Sequence, residues 1–305
     1  MNTYLQNIKY GWELLRPFTL TLPALGIISG AITAYGAFPR FSHGEPSTEL
    51  WLFKLALGAV AAAILNGASN TLNQIYDLEI DRINKPDRIL PSGKLQRKTA
   101  ASISVSLYIL ALLAAFLINL ECFLMFLAAA LATVLYSAPP FRLKRFGWLA
   151  NLTIAIPRGV LLKVAGWSIS KPIMSLEAWF IGAIFGLFLL GATSSKDFAD
   201  IEGDKACGCR TLPIIYGKEK AIKVIHPFYT LPFILLPVGA LLGALTGNAI
   251  AISLLGLICA FWGHRVILGL LKDPSEKLTE NHPSWRQMYF IIFALQIGFI
   301  IAYVV

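Results

Sequence analysis

The sequence predicts an all-α, polytopic membrane protein with about nine transmembrane helices. Three observations predict it. Of 305 residues, 56% are hydrophobic and only 14% charged, against about 25% charged in soluble domains. Runs of about 20 apolar residues recur along the chain, long enough to cross a hydrocarbon core of about 30 Å. These runs are rich in leucine, alanine, isoleucine and phenylalanine and lack the two-residue alternation of barrel strands, so they read as helices.

In order, the spans fall near 18–38, 52–72, 101–118, 122–136, 148–167, 176–194, 228–245, 249–270 and 285–304. Pro17, Pro23, Pro157, Pro232 and Pro237 lie within or at the ends of spans, where neighbouring membrane helices satisfy the backbone groups a proline frees. Trp51, Trp148, Trp167, Trp179 and Trp285 fall near span ends and are expected as interfacial anchors. The leading MNTYLQNIKYGWELLRP runs straight into the first span and reads as uncleaved.

Basic residues set the expected orientation. Threading the nine spans leaves 21 of the 26 lysines and arginines on one side. Arg40, Lys54 and Lys171 fall on the other, and Arg158 and Lys163 lie inside a span. The amino terminus is therefore expected in the cytoplasm and the carboxyl terminus outside, in a multi-pass cell-membrane protein. The net charge of +9 belongs to this basic face and points to anionic lipid headgroups rather than nucleic acid. Cys122, Cys207, Cys209 and Cys259 form no disulfide framework. Cys207-Gly208-Cys209 lacks the two-residue spacing of a zinc site. His43, His226, His264 and His282 are scattered without ligand spacing and read as structural or surface residues.

The long polar connections, 73–100, 137–147, 195–226 and 271–284, all lie on the basic side. Two of them resemble each other. NQIYDLEID places Asp77 and Asp81 four residues apart, and KDFADIEGD does the same with Asp200 and Asp204. Each motif is followed by R-I-L-P or R-T-L-P and then Gly-Lys. The chain thus reads as one domain, 1–305, with repeated halves at roughly 15–140 and 145–270 and a last helix at 285–304. On a helix, residues i and i+4 share a face, so each pair is expected to aim both carboxylates at one point. Carboxylates at a membrane edge are costly unless compensated.

Two such pairs facing each other suit Mg²⁺, which takes oxygen ligands and is held by one or two carboxylates plus substrate phosphates. Asp77, Asp81, Asp200 and Asp204, with Asp197 nearby, supply the acids, and Asn73 adds an amide oxygen four residues before Asp77. Lys196 holds the corresponding place before Asp200 and is a phosphate-binding candidate. Arg88, Lys94, Arg142 and Arg210 are further cations for a diphosphate. Neutralising a diphosphate makes it a good leaving group, and an allylic carbon then ionises to a stabilised cation that an electron-rich acceptor captures. A transporter using the acids as a cation site would instead place them in mid-span.

NxxxDxxxD followed by DRINKPDRILPSG, then YSAPPFRLKR, then KDFADIEGD with a downstream TLP, resembles the UbiA superfamily of intramembrane prenyltransferases over nearly the whole chain. The resemblance implies nine helices around a central cavity, a cytoplasmic cap of two motif loops, and a lateral opening for an isoprenyl diphosphate such as geranylgeranyl diphosphate. It implies that Asn73, Asp77, Asp81, Asp197, Asp200 and Asp204 hold Mg²⁺ and diphosphate. Lys196 would match the family's phosphate-binding lysine, Tyr136 and Ser137 a pair near the reacting carbon, and Arg16 a basic residue beneath the cap. One departure is Ala192, where the family often has tyrosine.

The lipophilic acceptor stays open. YSAPPFRLKRFGW resembles the chlorophyll-synthase branch, which esterifies a tetrapyrrole. NQIYDLEIDRINKP with Arg158-Gly159 resembles the homogentisate branch, which acts on a quinone precursor. The DIEGD and TLP pattern is similar to archaeal enzymes that prenylate a glyceryl phosphate ether lipid. Arg158 lies about 15 Å into its span, where a cation is costly; it is the candidate acceptor-binding residue. Asn151 is expected to bond a neighbouring helix. No motif encodes an oligomeric state.

Overall fold

The computed structural model describes residues 3–38, 47–273 and 282–305; Arg40, His43 and Lys277 lie outside the described residues. Within them, nine helices are long and apolar enough to cross a membrane: Pro17–Gly36, Thr48–Tyr76, Arg97–Ile118, Leu120–Ser137, Gly147–Trp167, Leu176–Asp197, Lys218–Leu241, Ala249–Lys272 and Pro283–Val304. Each overlaps its expected span, and the described residues contain no strand. The protein is a multi-pass membrane protein.

Consecutive spans pack against one another around the bundle, and the ninth returns to the first, closing a ring. The fifth span packs not only on the fourth and sixth but also across to the first. Its approach to the first span depends on two glycines. A Cβ on Gly30 would stand 2.7 Å from the Lys163 carbonyl oxygen, and one on Gly166 2.6 Å from that of Ile27. Small residues let membrane helices cross this closely. This packing on the first span also corrects one expectation: Trp167 is fully buried and anchors no interface.

The fifth span is not uniformly α-helical. Gly147–Ala155 is α, Ile156–Leu161 is π, and Leu162–Trp167 resumes the α-helix. Pro157 stands inside the wide turn, and its carbonyl accepts from the N–H of Leu162. π-Turns are frequent at functional sites, and this one carries Arg158.

A short helix, Thr3–Leu14, precedes the first span. Gln74 Nε2 donates to the Leu14 carbonyl at 2.7 Å and Asn70 Nδ2 to the Leu15 carbonyl at 2.9 Å. These two bonds tie the segment to the second span and fix Arg16, whose φ of 56° is left-handed, at the same end of the bundle as both acidic motifs.

Candidate active site

Both motifs interrupt their helices near the first aspartate of the four-residue pair, the sixth span ending at Asp197. Asp77 ends the second span at φ −95°, ψ 12° and opens a short helix, Leu78–Asn84. Asp200 has φ −102°, ψ 7° and opens Ile201–Ala206. The expected shared face on one unbroken helix is therefore replaced by a kink, in the sparsely allowed region that active-site residues often occupy. The fourth-residue spacing still holds each pair together, because the Asp81 N–H bonds the Asp77 carbonyl at 2.7 Å and the Asp204 N–H bonds that of Asp200 at 3.0 Å.

The two motif segments meet. Asn84 Nδ2 donates to the Asp200 carbonyl at 3.1 Å, and Asn84 Oδ1 accepts from the Gly203 N–H at 3.0 Å. Lys85 of the first segment pairs with Asp200 of the second at 2.6 Å. The acids that a sequence separation of more than a hundred residues keeps apart thus share one end of one cavity, of about 290 Å³. Asn73, Asp77, Asp81, Asp197, Asp200 and Asp204 line it, as do Arg16, Arg88, Lys196, Tyr136 and Arg158. Its deeper wall is apolar, with Leu22, Ile154, Phe185, Leu189 and Ile292.

Each of three acids carries a close cation. Lys144 Nζ lies 2.6 Å from Asp77 Oδ2, which also accepts from Asn73 Nδ2 at 2.8 Å. Arg88 Nη1 straddles the Asp81 carboxylate at 2.9 and 3.1 Å. Lys85 takes Asp200. Burial pushes Asp81 above the usual carboxylate value, with Arg88 and Arg16 pulling the other way. Burial likewise raises Asp204, opposed first by Lys144. For Lys144 burial favours the neutral amine, but Asp77, Tyr136 and Asp204 together outweigh it and its pKa is raised. Lys144 is thus an ammonium held between the two motifs.

Several expected residues are placed elsewhere. Lys94 and Arg210 are exposed and do not line the cavity. A turn at Gly93, φ 73°, carries Lys94 outward, and Arg210 is held by its backbone to Arg145 and Gly147. Arg142 stands behind the cavity wall, donating to the Tyr76 carbonyl at 3.0 Å with its Nη2 3.5 Å from Asp77 Oδ1. Ser137 is buried and faces away. Ala192 is fully buried in the core and does not line the cavity. Lys196 Nζ lies 3.5 Å from Tyr136 Oη and over its ring.

Two residues the sequence reading passed over, Lys85 and Lys144, reach the site. Both stand in stretches singled out for their neighbours, DRINKP and YSAPPFRLKR. Which of Arg142, Lys144 and Arg145 turns inward is decided by the Leu143–Arg145 3₁₀ turn, which has no composition signal. Asn151 bonds the sixth span as expected, through the Leu190 carbonyl at 2.8 Å and Ser194 Oγ at 2.7 Å. Away from the cavity, His226 and His264 stack with nitrogens 3.0 Å apart, joining the seventh and eighth spans.

The donor set is all oxygen, as Mg²⁺ prefers and zinc does not. Among the described residues, no three His, Cys, Asp or Glu side chains come close enough to hold a metal unaided. Asp77 Oδ1 is buried and accepts no hydrogen bond from the described residues. One or two carboxylates completed by phosphate oxygens fit this arrangement.

A sequence model of the UbiA prenyltransferase family matches residues 24–301. A digeranylgeranylglyceryl phosphate synthase of Methanosphaera stadtmanae is 30% identical over 296 residues, covering 96% of each chain. A solved digeranylgeranylglyceryl phosphate synthase structure superposes with a TM-score of 0.69 at 26% identity, over 100% of this chain and 99% of that one. A UbiA homologue from Archaeoglobus fulgidus, solved with GPP and Mg²⁺, superposes with a TM-score of 0.72 at 21% identity, covering 97% of this chain and 100% of its own.

Proposed function

Since the chain belongs to the UbiA prenyltransferase family and is an intramembrane prenyltransferase, we propose that it transfers the prenyl group of an isoprenyl diphosphate to a glyceryl phosphate ether lipid. One observation supports this reading above others: the cavity holds two separate cationic places. At the motif end, lysines and arginines stand among the aspartates. Deeper, Arg158 lines the cavity and, among the described residues, makes no ion pair. A donor diphosphate and an acceptor phosphate each find a counter-charge, whereas an uncharged acceptor would leave Arg158 unmatched. The curated relatives that act on glyceryl phosphate lipids favour the same acceptor.

Asp77, Asp81, Asp200 and Asp204, with Asn73 and Asp197, would hold a divalent metal, Mg²⁺ by its oxygen donors. When bound, that ion supplies charge neutralisation that makes the diphosphate a better leaving group. Lys144, Arg88 and Lys85 would exchange carboxylate oxygens for phosphate oxygens, and Lys196 and Arg16 would add to the cradle. Tyr136 would present its ring to the positive charge that develops on the allylic carbon. The bond from that carbon to the diphosphate breaks, and an acceptor hydroxyl oxygen forms the new C–O bond, its proton leaving with the diphosphate. The apolar wall excludes water that would otherwise capture the cation. The motif end, flanked by most of the basic residues, would face the cytoplasm.

The test is to incubate the purified protein with geranylgeranyl diphosphate, Mg²⁺ and a panel of glyceryl phosphate, aromatic and tetrapyrrole acceptors, and to identify products by mass spectrometry. The expected product is a prenylated glyceryl phosphate lipid that disappears with EDTA. Product from the aromatic or tetrapyrrole acceptor alone would overturn the acceptor assignment.

A further inference from the structure

Far from the acids, a buried polar cluster reaches the cavity. Gln296 of the ninth span lines the cavity. Its Oε1 accepts from Lys163 Nζ at 2.6 Å, and the same nitrogen donates to Ser29 Oγ at 2.6 Å. Ser29 Oγ in turn donates to the Gln296 carbonyl at 2.9 Å. The lysine nitrogen lies 4.7 Å from the centroid of Phe185 and 5.4 Å from that of Phe299. All three polar side chains are buried. Among the described residues Lys163 has no carboxylate at ion-pair distance. A lysine in the middle of a membrane bundle is expensive, and a leucine would pack the same three helices together.

The depth of this cluster is informative. Gln296 is thirteen residues from the start of Pro283–Val304, about 20 Å at the rise of an α-helix. Lys163 is sixteen residues into Gly147–Trp167, about 24 Å by the same measure. The floor therefore lies a long prenyl tail's length below the acids.

We infer that Gln296, braced from behind by Lys163, is the stop that sets the longest prenyl tail the cavity accepts. The inference rests on the reading of this cavity as the isoprenyl diphosphate site. A tail that reaches Gln296 meets a side chain it cannot push aside. Moving Gln296 strips the buried lysine nitrogen of an acceptor and offers only hydrocarbon in return. An apolar floor would yield by rotamer change; here the Gln296 carboxamide is held by the 2.6 Å bond from Lys163, itself fixed on Ser29 at 2.6 Å. The cluster joins the first, fifth and ninth spans, so it also keeps the floor from opening between helices.

The experiment compares kcat/KM for geranyl, farnesyl, geranylgeranyl and geranylfarnesyl diphosphates, at a fixed acceptor concentration, in wild type, Gln296→Ala and Lys163→Met. In wild type, kcat/KM is expected to fall steeply between the twenty-carbon and the twenty-five-carbon donor. Both variants should raise the longer-to-shorter ratio about tenfold or more, the scale on which a pocket discriminates by chain length. Lys163→Met keeps most of the bulk and removes the brace alone. Ser29→Ala, a milder change that leaves the cavity wall intact, should move the ratio in the same direction by less, and serves if the others fail to fold. An unchanged ratio in any folded variant that still turns over geranylgeranyl diphosphate overturns the stop. A wild type that turns over no prenyl diphosphate of any length overturns the assignment of the cavity itself.

Discussion

Asn84 and Gly203 join the two acidic motifs: the carboxamide oxygen of Asn84 accepts from the Gly203 N–H at 3.0 Å while its nitrogen donates to the Asp200 carbonyl at 3.1 Å. The contact needs a glycine. A Cβ at position 203 would stand 2.5 Å from Asn84 Nδ2, so alanine there pushes the segments apart. Together with Lys85 on Asp200, this contact fixes the spacing between the acid pairs. Asn84→Ala and Gly203→Ala should each raise KM for the prenyl diphosphate more than KM for the acceptor. The stability cost expected is about 1–3 kcal/mol for the buried groups left unpaired. Steady-state kinetics with each substrate varied, alongside thermal unfolding, check both expectations; equal effects on the two KM values would refute a spacing role.

Lys144 and Asp77 form the most enclosed ion pair of the site, 2.6 Å apart with side chains 9% and 8% exposed. Removing one partner of such a pair strands the other charge, at a cost of about 3–5 kcal/mol. Lys144→Met should therefore destabilise the protein strongly, and adding Asp77→Asn should recover part of the loss. Unfolding of the four forms in a double-mutant cycle measures the coupling. Activity should be lost in all three variants, because neither residue is replaced in its proposed role toward metal or phosphate.

The contrast between these residues shows how far the sequence could be read. The nine spans were legible because apolar length is a physical requirement of the bilayer, met by every segment independently. Asp77, Asp81, Asp200 and Asp204 were legible because their spacing repeats. The brackets around them were not. Lys144 is chosen over Arg142 and Arg145 by a single 3₁₀ turn, and Lys94 is removed from the site by the left-handed Gly93. Asn84 gives no signal at all, since its partners lie on a segment more than a hundred residues away. Helix breaks at Asp77 and Asp200 were hidden for a related reason: the i, i+4 pattern of acids is the same with or without a kink between them.

The pH dependence should follow Asp81 and Asp204. Burial raises both above the ordinary value of 3.8, so in the folded protein without ligand they take up protons at higher pH than a free carboxylate. In the proposed role, these carboxylates would hold the metal, and through it the diphosphate, in their ionised form. Affinity should therefore fall as pH is lowered, and the fall should begin above the usual carboxylate range. Stability of the ligand-free protein has the opposite sign: with the folded pKa above the unfolded one, stability declines as pH rises from 3.8 through the raised values, then levels. Calorimetric Mg²⁺–diphosphate affinity and thermal unfolding across mildly acid pH test the two signs. Asp204→Asn should flatten part of both profiles.

Arg158 distinguishes the proposed acceptor phosphate site from the proposed diphosphate site. Its guanidinium lines the cavity from a π-turn in the fifth span, whereas Asp77, Asp81 and Asp200 each carry another cation at the motif end. Were it part of the diphosphate cradle, removing it would weaken donor binding. If it holds the acceptor's phosphate, Arg158→Leu should leave prenyl diphosphate affinity within about twofold while raising acceptor KM about 10- to 100-fold, as expected when a hydrogen-bonded charge contact of about 1.5–3 kcal/mol is lost. Arg158→Lys should recover only part of this, because an ammonium does not reproduce the two-pronged contact of a guanidinium with phosphate. Donor affinity from equilibrium binding and acceptor KM from turnover separate the outcomes. A leucine variant that loses donor affinity and keeps acceptor KM would move Arg158 to the diphosphate and leave the acceptor's charge without a partner in the cavity.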